Sequence, residues 1–141
     1  MSELKDLGLG KIEHMGIAVK DLKAAEQLYT KLLGCEPYKR EEVASEHVIT
    51  SFFQAGPNKI ELLQATDPRS AIAKHIAKRG EGLHHMAFAV KDIVAEMSRL
   101  EKAGFHVLNK APKLGADNLL VAFIHPKSTG GVLVELCQKR S

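Results

Sequence analysis

His14-Met15-Gly16-Ile17-Ala18-Val19-Lys20-Asp21 recurs 71 positions later as His85-Met86-Ala87-Phe88-Ala89-Val90-Lys91-Asp92, with six of the eight residues identical. A second repeat closes each copy, because Ile60-Glu61-Leu62-Leu63-Gln64 returns as Val134-Glu135-Leu136-Cys137-Gln138 at an offset of 74. Each half therefore opens on a histidine and closes on a glutamate. A duplicated fold packed about a pseudo-twofold axis would bring two His and two Glu together, a donor set suited to a divalent metal.

Working outward from these anchors, residues 12 to 19 are short, apolar and followed by Asp21, a helix-start residue, so they predict a strand. Leu22, Ala25, Tyr29, Leu32 and Leu33 then fall at helical spacing and Gly34 stops the helix. Strands are predicted over 36 to 42, 47 to 54 and 58 to 64, the last two joined by the turn Ala55-Gly56-Pro57-Asn58. The first module reads as βαβββ, about residues 11 to 65. Asp67-Pro68 predicts the start of a linker helix over about 67 to 80, with Ile72, Ala73 and Ile76 on one face and Gly80 as its stop. The pattern then repeats over about 82 to 138. A strand at 83 to 90 leads to a helix from Asp92 to Gly104 with Ile93, Met97 and Leu100 inward, and strands follow near 105 to 109, 118 to 125 and 131 to 138. The offsets between copies drift from 71 to 70 to 74, as expected if length changes collect in helix ends and hairpin loops.

The fold class is thus α+β, a single domain of 141 residues made of two tandem modules. Along the first strand Met15, Ile17 and Val19 share one face and His14, Gly16 and Ala18 the other, so the sheet is expected to carry helices on one side and a cavity of small residues on the other. His14 and Glu61 would project into that cavity.

Composition excludes several function classes. The formal net charge is only +3, aromatics make up 5% and there is no Trp, which leaves no stacking platform for nucleic acid. The N-terminus shows no signal-peptide pattern and no stretch reaches membrane-spanning length, so a cytoplasmic protein without membrane partners is expected. Cys35 and Cys137 stand at no metal-motif spacing and read as free thiols.

The paired His-Met-(Gly/Ala)-(Ile/Phe)-Ala-Val-Lys-Asp strands and the (Ile/Val)-Glu-Leu strands resemble the vicinal oxygen chelate superfamily, over residues 12 to 138. Within it, Gly80-Glu81-Gly82-Leu83-His84-His85-Met86-Ala87-Phe88, together with His125-Pro126-Lys127-Ser128 and Gly131-Val132-Leu133-Val134-Glu135-Leu136, is similar to the methylmalonyl-CoA epimerase family. The resemblance implies a U-shaped, barrel-like mixed sheet around a metal site, one divalent ion per chain (Co, Mn, Ni or Zn), a homodimer, and an acyl-CoA substrate epimerised at C2. It also implies His14, Glu61, His85 and Glu135 as ligands. Some family members carry a catalytic Glu on the middle strand of the first module. The matching position here is Thr50, with Glu46 four residues earlier, and Glu61 stands where some members have a Gln ligand.

Epimerisation needs a proton acceptor on one face of the carbon and a donor on the other. Glu61 and Glu135, related by the duplication, meet that demand, with Thr50 or Glu46 as alternative sources of the second proton. His84 has the parity opposite to His85 and is expected to face away. His47, His75 and His106 have no counterpart in the other copy, and His125 opens a loop, so each reads as structural. Lys113 and Lys127 are candidates for contacting a CoA phosphate or substrate carboxylate, although a solvated lysine is the commoner case. Cys137 shares a face with Glu135, as a cavity liner or a small apolar filler. The competing readings are a glyoxalase I-like lactoylglutathione lyase, a ring-cleaving dioxygenase, and a metal-free ligand-sequestering protein of the same superfamily.

Overall fold

A computed structural model describes residues 8–140. The elements run β1 (Ile12–Ala18), α1 (Leu22–Leu33), β2 (Lys39–Val43), β3 (Val48–Ala55), β4 (Asn58–Ala65), α2 (Ala71–Arg79), β5 (Gly82–Ala89), α3 (Ile93–Lys102), β6 (Lys113–Leu114), β7 (Leu119–Ile124) and β8 (Leu133–Lys139). This is the α+β class with two successive βαβββ runs. The chain divides into two compact units, one His14–His84 and the other His85 onward together with the stretch that ends at Glu13.

In the first unit the strands follow the order β2-β3-β4-β1, with β1 parallel to β4 and the other pairs antiparallel. Helix α1 starts at Asp21, whose carboxylate accepts the Ala24 N–H at 3.1 Å, and ends at Gly34 with φ 74°, a left-handed conformation that glycine adopts without a Cβ penalty. Its buried face of Leu22 and Ala25, extended by Tyr29 and Leu33, packs on Val19, Phe53 and Leu62. Full burial of one such Leu or Phe contributes about 1.5–3 kcal/mol. Leu32 departs from the expected inward set and is 70% exposed, because it lies about 100° around the helix from Leu33.

The opposite face of this sheet is not left entirely open, contrary to the expectation that helices take one side alone. Ile72 of α2 packs there against Ala18, Val48 and Leu63. Helix α2 also starts later than Asp67-Pro68 predicts. Ser70, 1% exposed, accepts the Ile72 N–H at 3.1 Å and is the N-cap. Asp67 is instead held in a turn by the backbone N–H and guanidinium of Arg69, contacts that bring its carboxyl down to about 2.

In the second unit the order is β6-β7-β8-β5, with β5 parallel to β8. The Asp92 carboxylate caps α3 through the Ala95 N–H, again at 3.1 Å. Val90, Ile93, Met97 and Leu100 pack with Ala122, Ile124 and Leu136, as their spacing predicts. The expected strand at 105 to 109 is reduced to a single bridge, Val107 to Ile124. Pairing with β7 resumes only at Lys113 and Leu114. Between them the Asn109 side chain takes the Phe123 N–H at 2.8 Å, and Pro112 has no N–H to offer the ladder.

The sequence repeat has a backbone cause as well as a chemical one. Gln64 accepts the Leu22 N–H at 2.6 Å and Gln138 accepts the Ile93 N–H at 2.8 Å. The repeated Asp and the repeated Gln thus satisfy the same helix start in each module, where the first N–H groups have no intrahelical partner. No helix among the described residues is long and apolar enough to cross a membrane.

Candidate functional site

His14 lies on β1 and Glu61 on β4, and parallel pairing sets Gly16 beside Glu61, so His14 and Glu61 project from the same face two residues out of step. Their side chains meet with His14 Nε2 3.7 Å from Glu61 Oε1. In the second unit Ala87 pairs with Glu135 in the same parallel register, and His85 Nε2 lies 3.1 Å from Glu135 Oε1. Each unit therefore carries one His/Glu pair on equivalent strands. All four residues are buried, with 3%, 5%, 3% and 6% exposure for His14, Glu61, His85 and Glu135. Burying an ionisable pair in each of two modules is costly unless each charge has a partner. Imidazole nitrogen and carboxylate oxygen are also the donors that divalent Zn, Co, Ni and Mn accept. Each pair offers donors that fit such an ion.

The surroundings of the two glutamates share a feature that sequence spacing concealed. Antiparallel pairing puts Phe52 beside Glu61 and Phe123 beside Glu135. Lys39 Nζ lies 5.3 Å from the Phe52 ring centre, and Lys113 Nζ lies 5.8 Å from that of Phe123. The hairpin loops differ in length, so the two Phe are offset by 71 while the Glu are offset by 74, and only the strand register reveals the match. The His85 ring also meets Phe123 edge-on, at 6.4 Å between centroids. Glu135 also accepts a hydrogen bond from Cys137 Sγ at Oε2, at 3.0 Å.

The alternative proton donors sit differently. Thr50 is 1% exposed on the Glu61 face, and its hydroxyl donates to the Glu41 carbonyl at 3.1 Å. Glu46 is exposed, in the 3-10 turn Ala44–Glu46. Glu41, opposite Thr50 in the register, is ion-paired with Lys39 at 3.2 Å.

The remaining histidines make contacts of other kinds. The His84 ring meets His75 edge-on at 4.9 Å, and burial, with the Arg79 charge nearby, pushes the His75 imidazole below its ordinary value. His125 Nδ1 accepts the Lys127 N–H at 3.0 Å and its ring stacks on His106. His47 adopts φ 54° as the residue closing the 3-10 turn. Lys127 lies at the surface. In the first unit a cavity of about 490 Å³ opens beside the start of α1, lined by Ile17, Val19, Ala24, Leu28 and Tyr29 among others.

The sequence pattern of the glyoxalase/bleomycin resistance protein/dioxygenase superfamily matches residues 13–123. The ethylmalonyl-CoA/methylmalonyl-CoA epimerase of Cereibacter sphaeroides is 41% identical over 92% of this chain and 98% of that protein. The mitochondrial methylmalonyl-CoA epimerase of Homo sapiens is 37% identical over 92% of this chain and 74% of that protein. Among solved structures, a variant of the Streptomyces coelicolor methylmalonyl-CoA epimerase in complex with 2-nitronate-propionyl-CoA superposes with a TM-score of 0.90 at 33% identity, covering 95% of this chain and all of that one. The chain belongs to the glyoxalase/bleomycin resistance/dioxygenase superfamily and, within it, to the methylmalonyl-CoA epimerase family.

Proposed function

We propose that this protein is a metal-dependent methylmalonyl-CoA epimerase. In this reading His14, Glu61, His85 and Glu135 hold one divalent ion, and Glu61 and Glu135 exchange the C2 proton. The observation that carries the reading is the pair of buried His/Glu couples at equivalent strand registers, in a chain 41% identical to an ethylmalonyl-CoA/methylmalonyl-CoA epimerase.

The C2 proton of methylmalonyl-CoA lies between a thioester carbonyl and a carboxylate, so its removal leaves a planar enolate with charge on the thioester oxygen. A divalent ion supplies Lewis-acid stabilisation of that charge. The protein's own groups do the proton transfer. One glutamate takes the proton from one face and the other delivers a proton to the opposite face, which inverts the centre. The buried, low-dielectric setting of both carboxylates strengthens every electrostatic contact with the developing charge. The planar, anionic nitronate bound by the Streptomyces coelicolor enzyme has the geometry that an enolate would have, and ligands of that kind fit sites complementary to the transition state. Lys39 and Lys113, each over an aromatic ring beside a glutamate, are the cations this reading assigns to anionic groups of an acyl-CoA, Lys39 by exchanging its partner Glu41.

The test is chemical. Protein stripped with a chelator and reloaded with Co, Ni, Mn or Zn should regain inversion of methylmalonyl-CoA, and in D₂O it should incorporate deuterium at C2. Ethylmalonyl-CoA is the second substrate to try. Failure to act on either thioester, with production of lactoylglutathione from methylglyoxal and glutathione, would assign the chain to the glyoxalase I-like reading instead. The working form is proposed to be a homodimer in the cytoplasm, as the family resemblance implies, and sedimentation analysis decides the oligomeric state.

A further inference from the structure

One buried thiol has no part in the proton transfer proposed for the glutamates. Cys137 is 2% exposed and stands two residues after Glu135 on the same face of β8. Its thiol donates to Glu135 Oε2 at 3.0 Å, while Glu135 Oε1 lies 3.1 Å from His85 Nε2. The carboxylate is therefore engaged at both oxygens. Rotation about its last side-chain torsion, ordinarily broad and cheap, would break one contact or the other. The equivalent position in the first module is Leu63, which packs with Ile72 of α2 and carries no donor. The duplication thus kept the glutamate in both modules and gave only one of them a thiol.

We propose that Cys137 is a positioning residue for Glu135. The thiol holds Oε2 so that Oε1 is presented beside His85, and the two glutamates are consequently not held alike. This inference rests on the function proposed above, since it assigns Cys137 a part in presenting one of that reaction's carboxylates. The rival role is packing alone. Ala87, Leu119 and Val121 surround Cys137, and a small apolar side chain would fill that space equally well. A third possibility, direct ligation of the ion by sulfur, predicts a different spectrum.

Cys137→Ala and Cys137→Ser separate these roles in the cobalt-loaded protein. Groups that hydrogen-bond a metal-ligating carboxylate typically matter by about 10- to 100-fold in affinity or activity. Cys137→Ala is expected to lower kcat for methylmalonyl-CoA by about tenfold with KM within about twofold, and to weaken Co²⁺ binding by a similar factor. Cys137→Ser, which keeps a donor, is expected to recover most of both losses. The wild-type Co²⁺ spectrum is expected to lack a thiolate-to-metal charge-transfer band. Equal losses in Ala and Ser variants would reduce the residue to packing, and an Ala variant that behaves as wild type would remove it altogether. A charge-transfer band in wild type that Cys137→Ser abolishes would make sulfur a ligand and overturn positioning. If the wild type itself fails to epimerise, the proposed function falls, and the Co²⁺ affinities of the two variants still decide what the thiol does for Glu135.

Discussion

The two modules agree where backbone hydrogen bonds and ligand chemistry leave no freedom, and differ where packing alone decides. Both start their helix from an Asp cap backed by a Gln from the last strand. Both place a His and a Glu on parallel neighbouring strands in the same register. Beyond these points they part. In the first, α2 covers part of the His/Glu face through Ile72 and Leu63; in the second, the corresponding cluster is Ala87, Leu119, Val121 and Cys137. The second strand of the first module is continuous, whereas its counterpart is broken by Asn109 and Pro112. Helix α1 is tied to its own sheet by Glu26, which bonds Arg40 and Ser51, while the matching position in α3 is the buried Met97. The repeated pair is thus carried on two differently supported scaffolds.

The most severe way to break the comparison is to delete one ligand from each module. If the proposed ligand assignment is right, His14→Ala and His85→Ala should each abolish nearly all epimerisation and lose the ion, because each removes one of the four proposed donors. His84→Ala, one residue away but turned toward His75, should keep the ion and lose only some stability. Metal content measured on the three purified variants checks this. Equal metal loss at His84 and His85 would shift the register of the repeat by one.

Replacing the glutamates sharpens it further. Glu61→Gln and Glu135→Gln each keep an oxygen donor, so the ion should be retained while inversion falls by about 10²- to 10⁴-fold, the usual size of a general-base contribution. Deuterium wash-in without inversion, followed by mass spectrometry, would mark the face whose base survives. If Glu61→Gln turns over normally and Glu46→Gln or Thr50→Ala does not, the second proton comes from the β2–β3 region and the symmetric pair is wrong.

The candidate site is readable in the sequence because duplication converts a weak signal into a strong one. A single strand histidine is commonly a satisfied core residue, but His14 and His85 each reappear with a strand glutamate at nearly constant spacing. Element order was legible for the same reason, since Asp21 and Asp92 announce both helices. What periodicity could not supply was register. The match between Phe52 and Phe123 depends on hairpin lengths that slide against each other, and the Lys39 and Lys113 contacts follow from it. The reach of Cys137 to Glu135 is likewise a rotamer outcome, although their shared face was readable. The linker helix starts later than Asp67-Pro68 predicts because Ser70 caps it while Asp67 is drawn to Arg69. Nor did the chain announce that the strand after α3 would be broken, as Asn109 competes for a ladder N–H with its side chain.

The module cores should prove equivalent where the site-supporting features are not. Leu62 and Leu136 follow the paired glutamates directly, are both 0% exposed, and pack under α1 and α3 respectively. Leu62→Ala and Leu136→Ala should each cost about 2–5 kcal/mol in urea-induced unfolding. A cost confined to one module would show that the two units contribute unequally to the measured transition.

The smallest expected effect tests the difference between the helices. Glu26 bonds Arg40 Nε at 2.9 Å and receives the Ser51 hydroxyl at 2.6 Å, and the Arg40 guanidinium holds its carboxyl below the ordinary value of 4.5. A carboxylate whose folded-state value is depressed stabilises the fold fully above its unfolded value, and that contribution disappears as pH falls through the folded one. Arg40 is 47% exposed, so solvent screening keeps the pair's worth to about 1 kcal/mol. Glu26→Gln should therefore lower the urea midpoint at neutral pH by an amount that stays constant down to about pH 5 and shrinks below it, as the wild-type carboxylate takes up its proton. Met97→Ala in the other helix removes apolar volume and no charge, so its larger deficit should not vary over the same range. Should the Glu26→Gln deficit persist undiminished in acid, the contact with Ser51 and the packing of the side chain, rather than the ion pair, would be what ties α1 to its sheet.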